Sequence, residues 1–84
     1  MTVRIFVPDI PEFMPIVEGV RAVGGYGVHP PVNGYWRIED SSEIHLNRRE
    51  LGLGPALWNS ALTGGFQGRI VTFDRDTMVI ASAR

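Results

Sequence analysis

The chain has 84 residues, 44% hydrophobic and 20% charged, which is the balance of one globular domain (1–84) and not of a disordered segment. It holds no cysteine and no lysine, which removes disulfides, thiolate metal sites and a Schiff-base nucleophile together. Eight arginines stand against nine acids for a formal charge of -1, so there is no basic field to draw nucleic acid, and no run approaches the roughly 20 apolar residues that span a bilayer.

The opening MTVRIFVPD lacks the cationic start and long apolar region of a signal peptide, which points to a cytoplasmic protein. Instead, Val3, Ile5 and Val7 alternate with Thr2, Arg4 and Phe6 until Pro8, the period of a strand with one inner face. Asp9 and Glu12 have the spacing of a capping box. Phe13, Ile16, Val17, Val20 and Val23 follow at helical spacing, interrupted by Pro15 and Gly19. The spacing predicts a distorted turn at 10–14 and then a helix over 15–23, stopped by Gly24-Gly25.

The run GGYGVHPPVNGYW over 24–36 reads as the central loop. It gathers four of the ten glycines, two of the six prolines and both tyrosines, more chemistry than a plain connection needs. A hairpin is expected next, turning at Asp40-Ser41-Ser42, with Arg37 opposite His45 and Ile38 opposite Ile44. That register places Trp36, Ile38, Ile44 and Leu46 on one apolar face and Tyr35, Arg37, Glu39, Glu43 and His45 on the other. Asn47 and Glu50 repeat the capping spacing ahead of at least one helical turn over 48–51. Pro55 suits a first helical position, and Leu57, Trp58, Ala61 and Leu62 form the stripe of a short second helix. Thr63-Gly64-Gly65 ends it. A last hairpin pairs 68–73 with 78–81 across the turn sequence Asp74-Arg75-Asp76-Thr77, and 82–84 forms a short tail. The order β-α-β-β-α-β-β predicts an α+β domain, mainly antiparallel, with two short helices on one face of the sheet.

Two features carry chemistry. On the polar face of the expected middle hairpin, His45 is a candidate general acid-base, Arg37 and Arg48 candidate carboxylate clamps, and Tyr35 a donor to a developing oxyanion. A polar face on an antiparallel sheet is also simply what solvent requires. In the central loop, His29 is stiffened by Pro30-Pro31, and Tyr26, Tyr35 and Trp36 offer aromatic walls for a small-molecule ligand. The same aromatics can equally pack beneath their own loop. A metal shared by His29 and His45 with Glu39 or Glu43 has no supporting ligand spacing, so no metal ligand is assigned, and no motif specifies a cofactor. The glycines at 63–68 follow a helix and lack the G-K-[ST] ending of a phosphate loop, and no serine sits in a nucleophile elbow. The run over 68–80 resembles the bent hairpin of small barrels found among RNA-binding folds, but it brings no RNA-reading motif and no basic stripe.

Two functions remain. The first is a small accessory or interaction subunit that forms a homo-oligomer or docks on a larger enzyme, favoured by a small core without staples and by two tryptophans able to anchor an interface. The alternative is a small oligomeric, cofactor-independent isomerase, lyase or decarboxylase acting on a compact acidic or aromatic substrate. It requires His29, Tyr35, Arg37 and His45 to line one cavity.

Overall fold

The computed structural model describes residues 2–83, so the end of the expected tail, Arg84, lies outside the described residues. Strand β1 (Val3–Pro8) buries Val3, Ile5 and Val7, the face that alternation predicts. A 3-10 turn over Pro11–Phe13 leads into α1 (Met14–Val23), the broken entry expected at this point. Pro15 falls in the first helical turn, where a missing N–H interrupts no intrahelical bond. The expected capping box does not form. Neither helical segment has a side-chain cap, and the Asp9 carboxylate accepts from the Trp36 indole N–H at 3.0 Å. Gly19, unfavourable in a helix on propensity alone, is there for proximity: a Cβ would stand 3.0 Å from Leu51 Cδ2 and 3.1 Å from the Leu51 carbonyl oxygen.

Most of the expected loop over 24–36 is instead part of a hairpin spanning 27–40. Strand β2 (Gly27–Val32) turns through Asn33 and Gly34, both at positive φ, into β3 (Tyr35–Asp40), with Val32 opposite Tyr35. Two central residues at positive φ are the geometry Asn-Gly favours in a two-residue hairpin loop. The hairpin expected between β3 and β4 (Glu43–Asn47) is not formed. β3 pairs with β1 and β2, while β4 pairs with the C-terminal strand, so Arg37 faces Phe6 and His29, and His45 faces Val79. At Asp40 the chain turns a corner between two sheets. The Asp40 carboxylate accepts from the backbone N–H groups of Ser42 and Glu43, and those bonds hold its pKa below the ordinary value.

Helix α2 (Arg48–Leu51) is capped by Asn47, whose side chain accepts from the N–H groups of Arg49 and Glu50, and α3 (Pro55–Asn59) starts on its proline. The turns that follow run back along β1, and the Phe6 N–H donates to the Gly65 carbonyl at 3.0 Å. A two-residue strand, β5 (Phe66–Gln67), joins β1. The chain then enters the second sheet as the hairpin β6 (Arg69–Phe73) and β7 (Thr77–Ala81), whose turn is held by Asp74 as its sequence predicts.

The result is an α+β domain with antiparallel strands in two sheets, ordered β2-β3-β1-β5 and β4-β7-β6. One core lies between them. Val3, Ile5, Val7 and Ile38 from the first sheet meet Ile44, Leu46, Met78 and Ile80 from the second, with α1 contributing Ile16, Val17 and Val20 and α3 contributing Trp58.

Candidate functional site

The outer face of the four-stranded sheet gathers charge around one carboxylate. Register places Arg4 and Gly27 opposite Glu39, and Phe6 and His29 opposite Arg37. Glu39 Oε2 accepts from Arg4 Nε at 2.9 Å, while Oε1 lies 3.0 Å from His29 Nε2. Arg4 also donates to the Gln67 side chain on β5 at 2.7 Å. Arg37 Nε lies 3.0 Å from Glu39 Oε2, but its N–H points away from that oxygen and finds no aligned acceptor. Two guanidinium groups therefore share one carboxylate, which leaves this face with an uncompensated positive charge.

Burial alone raises the Glu39 pKa, but the Arg4 hydrogen bond and the charges of Arg37, His29 and Arg4 outweigh it and hold the carboxyl below 4.5. A carboxyl with a lowered folded-state pKa stabilises the fold above its unfolded-state value, and that contribution is lost as pH falls through the folded-state value. Asp40 and Asp74 are lowered from 3.8 by backbone hydrogen bonds, so they act in the same direction. The urea midpoint should thus fall as the pH drops below 4.5. Glu39→Gln should lower the neutral plateau and flatten part of the acid limb. A midpoint independent of pH down to the acid range would contradict the network.

Beside this cluster lies a groove of about 520 Å³. The β2–β3 hairpin supplies His29, Pro30, Pro31, Val32, Asn33, Tyr35 and Arg37, and β1 adds Phe6. Its volume falls within the range of small-molecule sites. His29, Tyr35 and Arg37, drawn from both halves of the sequence reading, thus line one cavity. Phe6 and Asn33 are lining residues the sequence reading passed over. The Asn33-Gly34 dipeptide was the signal that would have folded β2 back on β3 and closed the groove.

The other candidates lie elsewhere. His45 sits in the three-stranded sheet, lines a separate cavity of about 200 Å³, and holds its Nε2 2.6 Å from Glu43 Oε1. The Tyr26 hydroxyl donates to the His45 carbonyl and accepts from the His45 N–H, so it closes the middle of the β4 edge. Trp36 lies beside Asp9, with the Arg21 guanidinium 4.9 Å above its ring. Arg48 ties α2 to the last turn: it donates to the Asp76 carboxylate from Nε and Nη2, and to the carbonyls of Arg75 and Leu53. These bonds give Tyr26, Trp36 and Arg48 positions within the scaffold and not on the groove.

No protein-family model and no curated protein matches the chain. Among the described residues, no three His, Asp or Glu side chains group as metal ligands, and no helix is long and apolar enough to cross a membrane.

Proposed function

We propose that the chain is a soluble, cytoplasmic, non-catalytic interaction module that pairs with a second copy of itself along β6. The observation that carries this reading is the contrast between sheet edges. On β2, Pro30 and Pro31 lack the N–H groups that another strand would need. The edge of β4 is occupied at its centre by the Tyr26 hydroxyl, and β5 is two residues long. Strand β6 is the remaining edge of the three-stranded sheet. It carries neither a proline nor a side-chain cover, and Ile70, Val71 and Phe73 are exposed along it, with Phe66 close by in sequence. Arg69 opens this strand and Asp74 follows its last residue, so an antiparallel second copy brings unlike charges near one another at both ends.

Sedimentation velocity at micromolar concentration tests the pairing. The wild type should sediment as a dimer, and Val71→Lys, a charge placed on a half-exposed edge residue, should sediment as a folded monomer. A monomeric wild type would overturn self-pairing. A larger protein held in fixed ratio by the wild type in native mass spectrometry, and released by Val71→Lys, would keep the module and replace the second copy.

The enzymatic reading is favoured by one observation, the His29–Glu39 pair at 3.0 Å beside Tyr35 and Arg37. A carboxylate fixing one imidazole nitrogen orients the ring for proton transfer. His45 lies in the other sheet, so the requirement that all four residues line one cavity is not met, and what is left of that reading rests on His29.

A further inference from the structure

The groove on the outer face of the first sheet has two kinds of surface. Phe6, Pro30, Pro31, Val32 and Tyr35 form apolar walls, and Arg37 brings a cation to the same cavity. The Arg37 side chain is 40% exposed, while its Nε is buried 3.0 Å from Glu39 Oε2. Glu39 is already divided among Arg4, His29 and Arg37, so the cluster holds more positive than negative charge. A carboxylate approaching the Nη end of the guanidinium would meet N–H groups that Glu39 does not occupy, and an apolar body of a few carbons would cover the proline and aromatic walls. The two prolines fix their stretch of backbone before a ligand arrives, which lowers the entropy lost on binding.

We infer that this groove is a binding site for a small amphipathic monocarboxylate, its carboxylate held by Arg37 and its apolar or aromatic body lying between Phe6, Tyr35 and the Pro30-Pro31 wall. The site is separate from the β6 edge, on a different sheet, so it stands or falls independently of self-pairing.

Heteronuclear NMR titration of the full chain with phenylacetate, using 2-phenylethanol as an uncharged match, tests the assignment. Phenylacetate should shift the amides of Phe6, His29, Val32 and Tyr35, and the alcohol should bind about tenfold more weakly or worse, as expected for loss of a charge-assisted contact. Arg37→Met should weaken phenylacetate by a similar factor while leaving the circular dichroism unchanged. Should Arg37→Met fail to fold, Val32→Asp reads the same interaction: Val32 is 67% exposed, so a repelling carboxylate at the rim adds no burden to the core. Equal affinity for acid and alcohol, shifts confined to another face, or undiminished binding by a folded variant would overturn the site. A blocked peptide ending in a free phenylalanine carboxylate and binding more tightly than phenylacetate would overturn the small-molecule assignment in favour of a chain terminus.

Discussion

Trp58→Ala is expected to abolish the cooperative urea transition or to move its midpoint to the foot of the titration. The indole is 1% exposed at the centre of the core, and its N–H donates to the Asp74 carbonyl at 2.7 Å. Phe73 meets it edge-on with centroids 5.8 Å apart. Truncating a buried tryptophan removes about 3–5 kcal/mol through lost transfer energy and the cavity left behind. A domain of this length has a net stability near the lower end of the usual range of about 5–15 kcal/mol, so one side chain accounts for most of it. The hydrogen bond also links α3 to the turn between β6 and β7, and the loss therefore spreads to the last hairpin. Trp58→Phe keeps most of the ring area and removes the donor, so it should lose only about 1–2 kcal/mol. Trp36 remains as the fluorescent reporter in both variants. An alanine variant with a wild-type midpoint would show that the indole does not hold the core.

Gly64→Ala should lower stability by about 1–3 kcal/mol, the range for a steric intrusion that the backbone has to absorb. A Cβ at this position would stand 2.2 Å from the Phe6 carbonyl oxygen and 3.1 Å from Pro8 Cδ. No rotamer relieves a clash between a Cβ and a backbone oxygen, so the loop must lift away from β1. The next residue accepts the Phe6 N–H at 3.0 Å, and that bond goes with it. Hydrogen exchange at the Phe6 amide should accelerate beyond the global change in stability. Wild-type protection there, at wild-type stability, would refute the close approach. Phe6 also lines the groove, so the same variant should weaken any ligand held in it.

The sequence was legible wherever a side chain decides its own surroundings. Asn47 caps the turn that its spacing announces, Pro55 opens a helix, and Asp74 organises the last hairpin. The faces of β3 and β4 were also read correctly, since Ile38, Ile44 and Leu46 are all buried. Their partnership was not. Alternation reports which side of a strand meets the core, and two strands on opposite walls of one core satisfy it as well as two neighbours do. Choosing between these arrangements needed the competing signal of Asn33-Gly34, which pairs β3 with the proline-rich segment before it. The same misassignment split the candidate site. His29, Tyr35 and Arg37 met because β2 lies beside β3, and His45 went to the other sheet because Asp40 turns a corner and not a hairpin.

β1 is an interior strand of its sheet, flanked by β3 on one side and β5 on the other, and Arg4 meets Gln67 across a separation of 63 residues. During synthesis β1 therefore precedes both of its partners, and its pairing with β5 waits for Phe66 and Gln67. Its apolar face is covered only once Met78 and Ile80 are present, and contacts of such long separation slow the search that follows. Until both pairings are made, the apolar run Val3–Val7 is open to aggregation.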